Sequence, residues 1–138
     1  MKEIHALFES YKTAVLQKNI DAFLSLFDNN VRIFDLWEWM YDGIGPWREM
    51  VKDWFSSLDN NEQVIVTFDD IRVQDAGEMA VATAFARFAA VSDKGEELRY
   101  LQNRLTWVVQ KKEGGWKIIH EHTSAPVDGA TMKVRLQR

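Results

Sequence analysis

Apolar residues recur at helical spacing near the N-terminus. Ile4, Leu7, Phe8, Tyr11, Ala14 and Val15 follow i, i+3, i+4 and i+7 steps, which predicts an amphipathic first helix. Asn19 ends that stripe and suits the cap of the next element, because its side-chain oxygen accepts from helical N–H groups. Ile20, Phe23, Leu24 and Phe27 predict a second, short helix. Val31, Ile33 and Phe34 then predict a short strand ending at Asp35. Residues 36–45, LWEWMYDGIG, read as an aromatic loop with two glycines. Pro46 fits the first turn of a third helix, where its missing N–H costs nothing. That helix carries Trp47, Met50, Val51, Trp54 and Phe55, and the polar run Ser56–Gln63 ends it.

From Val64 onward the apolar period changes to two. Val64–Arg72 alternates with Val64, Val66 and Phe68 on one face; Asp75–Glu78 is a turn, and Met79–Val91 a long β segment. Ser92–Glu97 is a second turn, Leu98–Gln110 a strand, and Lys111–Gly115 leads to the last strand from Trp116. Long strands joined by short polar turns predict an antiparallel meander. Helices first and a sheet afterwards predict an α+β fold with the helices on one face. On the fourth predicted strand, Trp107 shares the parity of Asn103, Leu105 and Val109 and faces the helices; Arg104 and Thr106 face away.

The segment Gly114–Pro126, GGWKIIHEHTSAP, concentrates the candidate chemistry. Strict alternation puts Trp116, Ile118, His120 and His122 on one face, expected to line a cavity. Lys117, Ile119, Glu121 and Thr123 then lie on the other.

A chain of 138 residues suits one domain, 1–138, and buries about two-thirds of its unfolded surface. Hydrophobic residues at 46% and charged ones at 28% are ordinary, but six tryptophans imply an aromatic interior or an aromatic-lined pocket. A net charge of −4 without a basic block offers nothing to neutralise phosphates, so no nucleic-acid partner is expected. The absence of cysteine excludes disulfides, thiolate nucleophiles and cysteine zinc sites. The start, MKEIHALFESYK, lacks a signal-peptide apolar core, and no apolar run approaches the ~20 residues of a membrane span. The expected setting is the cytoplasm, with no membrane partner.

Two segments carry a resemblance: YKTAVLQKNIDAFLSLFDNNVRIFD, Tyr11 to Asp35, and RLTWVVQKKEGGWKIIHEHTSAP, Arg104 to Pro126. Together with the order of elements, they resemble the nuclear-transport-factor-2-like superfamily, in its SnoaL-like and ketosteroid-isomerase-like branch. The second segment is also similar to the association domain of calcium/calmodulin-dependent protein kinase II. The resemblance implies a cone-shaped half-barrel: N-terminal helices packed in a strongly curved antiparallel sheet, with an apolar pocket at the open end. It also implies homodimers through the sheet. The superfamily hosts isomerases, cyclases, dehydratases, transport factors and oligomerisation domains, so fold does not supply function.

In the ketosteroid isomerases a tyrosine on the first helix and an aspartate ending the first strand sit in the pocket. Tyr11 and Asp35 match those positions without a gap. The resemblance implies that Asp35 is a general base removing a proton α to a carbonyl, with Tyr11 donating to the enolate oxygen. Phe34, Trp37, Trp39 and Trp47 nearby in sequence would desolvate Asp35 and raise its basicity. The structural alternative makes Asp35 a partner for backbone N–H groups and Tyr11 a core residue. The third isomerase residue, a protonated aspartate, falls near Asn103, with Gln102 as the other choice. An asparagine amide also donates, but the departure puts steroid isomerisation in doubt.

His120 and His122 are absent from the isomerase pattern and belong to the SnoaL-like one. They bind a polar ligand group, or form a structural network with Arg87 or Glu121, or ligate a metal with a third ligand from Asp35 or His5. Nothing in the sequence places either third ligand near them, so no metal is expected. Trp47 and Trp54 read as core, whereas Trp37, Trp39 and Tyr41 in a glycine-containing loop should cover a pocket mouth or a partner surface. Ser124 has no nucleophile-elbow motif and no glycine-rich phosphate loop exists.

The resulting expectation is a protein that binds a small hydrophobic molecule, acting without cofactor as an isomerase or lyase through proton transfer. Asp35, Tyr11 and Asn103 are the catalytic candidates; His120, His122, Trp37, Trp39 and Trp107 are the ligand-binding ones. The alternative is a non-catalytic dimerisation or ligand-sensing domain with a vestigial pocket.

Overall fold

The computed structural model describes residues 2–137. Helices α1 (Lys2–Gln17) and α2 (Ile20–Leu24) lead into strands β1 (Phe27–Phe34) and β2 (Met40–Asp42), then helix α3 (Ile44–Ser57). Four long strands follow: β3 (Gln63–Ala76), β4 (Met79–Val91), β5 (Glu97–Lys112) and β6 (Gly115–Ser124). One six-stranded sheet has the order β2-β1-β6-β5-β4-β3. The fold is α+β, a curved, unclosed sheet that holds the helices in its concave face.

The meander from β3 to β6 is antiparallel as expected, but β1 joins β6 in parallel, Ile33 opposite Glu121 and Phe34 opposite His122. Three boundaries also differ from the sequence reading. Phe27 begins β1 instead of extending α2, because α2 stops at Leu24 and the chain turns there. The aromatic loop contains strand β2, which pairs Tyr41 with Ile33. Helix α3 starts at Ile44, two residues before Pro46. Gly43 precedes it at φ 92°, a left-handed backbone that favours glycine, and its N–H donates to Val31 O at 2.7 Å.

Helix α1 lies across the concave face of the sheet. Its Phe8 ring stacks on Trp107 at 4.2 Å and meets Phe68 edge-on at 4.8 Å. Asn19 caps α2, its Oδ1 accepting from Ala22 N at 3.0 Å. Alternate residues of β4, from Ala80 to Ala86, present small side chains inward, so the sheet leaves room for helices and for a cavity. Curvature comes from bulges. The β3–β4 register slips between Asp69 and Arg72, and Asp70 takes φ 53°. The inward set accordingly changes from Val64, Val66 and Phe68 to Ile71 and Val73.

A second bulge decides which β6 side chains enter the interior. Val108 pairs with His120 but Val109 with Ile118, so Ile119 is an extra residue on β6. Trp116 and Ile118 face inward as alternation predicts. Beyond Ile119 the parity reverses: Glu121 and Thr123 are buried, while His120 and His122 lie on the convex face. The expected cavity-facing histidine pair is thereby corrected. On that outer face His120 Nδ1 is 2.7 Å from Arg32 O, and both imidazoles meet the Phe34 ring edge-on.

Candidate active site

A cavity of about 590 Å³ opens between α3, the segment after β1 and the inward faces of β4–β6. Asp35 enters it because it continues the inward parity of Val31 and Ile33 one step past β1. Tyr11 reaches it from α1, Asn103 from β5, and Glu121 and Thr123 from β6. Among the sequence candidates, the structure brings together Tyr11, Asp35, Asn103 and Trp37.

The other candidates sit elsewhere. Trp39 is 85% exposed on the loop tip and does not line the cavity. Trp107 is fully buried behind the wall, stacked on Phe8. His120 and His122 are across the sheet. No group of three or more metal-binding side chains occurs among the described residues.

Asp35 is half-buried and held at two points. Trp37 N donates to its Oδ2 at 3.3 Å, and Thr123 Oγ1 donates to its Oδ1 at 3.3 Å. The Thr123 hydroxyl accepts in turn from Leu36 N at 2.8 Å, which fixes it in place. Burial pushes the Asp35 carboxyl above its ordinary range, against the lowering by the hydrogen bonds from Trp37, Thr123 and Leu36. The carboxylate is therefore a stronger base than a free aspartate while keeping a fixed orientation.

Glu121 is the residue that strict alternation concealed. It is 2% exposed, and Trp107 Nε1 donates to its Oε1 at 2.9 Å. Burial raises its pKa to about 7, the Trp107 hydrogen bond opposes this, and the Asp35 charge adds to it. The one sequence signal was the Ile118–Ile119 doublet, two large apolar residues in succession where alternation calls for one.

Tyr11 is buried, its ring 4.8 Å from Phe23 and 5.8 Å from Trp107. Burial first, then the charges of Glu121 and Asp35, push the phenol well above its ordinary pKa, so it remains a neutral donor. Asn103 is buried with Oδ1 lacking a partner among the described residues, and no hydrogen bond fixes which end of the amide meets the cavity. Met50, Trp54, Leu58, Val64, Phe88 and Leu101 make the rest of the wall largely apolar.

The SnoaL-like domain profile matches residues 4–128, nearly the full length of this arrangement. The chain belongs to the SnoaL-like family. No curated protein matches it. Among solved structures, this SnoaL-like protein is similar to an NTF2-like protein of unknown function from Pseudomonas putida KT2440: TM-score 0.84, 23% identity, covering 98% of this chain and 92% of the other. An NTF2-like superfamily protein from Salmonella enterica superposes with TM-score 0.73 at 19% identity, covering 94% and 93%. Aln2 from a Streptomyces species does so with TM-score 0.77 at 12% identity, covering 88% and 87%. At such identities the likenesses establish the NTF2-like fold. No described helix of this SnoaL-like chain is long and apolar enough to cross a membrane.

Proposed function

We propose that the cavity binds a small hydrophobic carbonyl compound and that the protein is a cofactor-independent isomerase or lyase acting by proton transfer. Asp35 takes the proton α to the carbonyl. Tyr11 donates a hydrogen bond to the oxygen as it gains enolate charge, and the Asn103 amide is the second donor. One observation carries this reading: a carboxyl made more basic by burial and a phenol held neutral line one cavity with a largely apolar wall, and the Asp35 charge acts on that phenol. A base and a donor with pKa values displaced from their free values are what such chemistry requires. The expected setting is cytoplasmic.

The test is deuterium exchange α to the carbonyl in a panel of neutral cyclic ketones and enones, followed by NMR. Exchange should fall about 10²–10⁴-fold in Asp35→Asn and about 10²–10³-fold in Tyr11→Phe. Exchange indifferent to Asp35→Asn removes the base.

A second reading, homodimerisation through the sheet with a non-catalytic pocket, draws on the convex face. Ile65 of β3 is 45% exposed there and lies in register, through Ala89 of β4, with Tyr100 of β5, which is 46% exposed. Sedimentation of the wild type against Ile65→Glu checks it: a dimer that the substitution splits supports an interface there, and a monomeric wild type ends it.

A further inference from the structure

The cavity holds more carboxyl groups than proton transfer uses. Asp35, Glu38, Asp53 and Glu121 all line it. Among the described residues the single cation in its lining is Arg99, and Glu62 neutralises that guanidinium at 2.7 Å. Glu121 is assigned no step in the proton transfer and is 2% exposed, and the side chain that donates to its Oε1 is the neutral Trp107 indole. A buried carboxyl at a cavity wall, held by a neutral donor and facing no cation, is suited to a charged partner from within the cavity.

The walls supply a second, independent feature. Trp37, Tyr41, Trp54 and Phe88 line the same space. Aromatic faces carry negative potential and attract cations most strongly where water is excluded. The Tyr41 hydroxyl is pushed up by burial and then by Asp35 and Glu38, which places it within the field of a floor carboxyl and a rim carboxyl.

We infer that the ligand of this cavity is a hydrophobic organic cation, a protonated amine on an apolar body, with the aromatic faces around it and Glu121 as its buried counter-ion. This rests on the cavity being the ligand site proposed above, and it names the class of ligand. Asp35 remains the base, with Tyr11 and Asn103 left for the carbonyl oxygen. In the empty cavity Glu121 faces Trp107 from β5, Tyr11 from α1 and Asp35 at the end of β1; none of these is a cation. An arriving ammonium therefore draws Glu121 into its charged form and releases a proton near neutral pH.

Three isosteric probes test this by calorimetry at low salt and pH 7: 2-naphthylmethylammonium, 2-naphthylmethanol and 2-naphthoate. The ammonium should bind at least about tenfold tighter than the alcohol, with 2-naphthoate weakest. Its heat should vary with buffer ionisation enthalpy, reporting the released proton. Glu121→Gln should abolish most of that preference while leaving the alcohol's affinity within about twofold. Should that variant fail to fold, Glu38→Gln with Asp53→Asn should narrow the preference in the same direction. Equal binding of alcohol and ammonium, a preference for 2-naphthoate, or binding of none overturns the inference. Deuterium exchange into neutral ketones, read in Asp35→Asn, judges the proton-transfer reading separately, so either can fail alone.

Discussion

The Trp107 indole N–H donates to Glu121 Oε1 at 2.9 Å, a neutral donor holding a carboxyl in the interior of the sheet. A tryptophan offers one donor and no charge, so it orients the carboxyl without fully stabilising its ionised form. Trp107→Phe should leave that oxygen unpaired and open space beside Phe8, costing about 2–4 kcal/mol. Because this bond lowers the Glu121 pKa, its loss should move the titration of Glu121 above about 7. Denaturant unfolding and carbon-detected NMR titration of the Glu121 carboxyl check the two effects. An unmoved titration would show that the indole does not tune the acid.

The same carboxyl should make stability depend on pH in an unusual direction. Glu121 has a folded pKa raised to about 7 from an ordinary 4.5, so the native state binds more protons than the unfolded chain between those values. Its contribution is fully present below about pH 4.5 and is lost as pH rises through about 7. A shift of that size corresponds to on the order of 3 kcal/mol. Asp35, also raised, acts in the same sense. Glu62, Glu97 and Asp128, which their hydrogen-bond and ion-pair partners hold low, act oppositely but only in more acidic solution. Unfolding midpoints measured from about pH 5 to about pH 8 should therefore fall with pH, and Glu121→Gln should flatten the decline. A wild-type profile flat across that window would contradict the raised acid.

Thr123 links the backbone after β1 to the base. Its hydroxyl accepts from Leu36 N at 2.8 Å and donates to Asp35 Oδ1 at 3.3 Å. Thr123→Val keeps the shape but removes both bonds, leaving a half-buried N–H unpaired at a cost of about 1–3 kcal/mol. The bond to Asp35 lowers that carboxyl's pKa, so its removal should raise it further. In any exchange assay that uses Asp35 as base, the acidic limb of the pH–rate profile should shift to higher pH. A limb that stays in place would indicate that another group is the base.

How much of this was legible in the sequence follows from which physical signals are local. The stripe from Ile4 to Val15 and the alternation from Val64 to Phe68 report burial directly, and both elements formed where the pattern put them. The inward parity of Asn103, Leu105 and Trp107 held because β5 runs without a slip through them. Parity failed on β6, where one extra residue at Ile119 exchanges faces and brings Glu121 in place of His120. A bulge is set by the partner strand and by sheet curvature, neither of which alternation encodes. Strand β2 was missed for a related reason: three residues held by pairing to β1 leave almost no periodic trace. The parallel pairing of β1 with β6 joins segments that lie far apart in sequence, and no local pattern carries it.

Ala90 gives a direct test of whether the cavity is the ligand site. It lies on β4 opposite Val64 and Arg99, is 6% exposed, and lines the cavity. Ala90→Leu adds apolar volume that projects into about 590 Å³ of free space. Filling a cavity with apolar atoms avoids the strain of overpacking, so the unliganded protein should lose less than about 1 kcal/mol or gain slightly. Ligand contacts should suffer far more, with affinity for naphthyl probes falling at least about tenfold as the added side chain takes their place. Thermal melting without ligand and calorimetry with 2-naphthylmethanol separate the two effects. Unchanged affinity with unchanged stability would place the binding surface elsewhere. A large drop in melting temperature without ligand would mean that the wall around Ala90 is packed more tightly than the cavity implies.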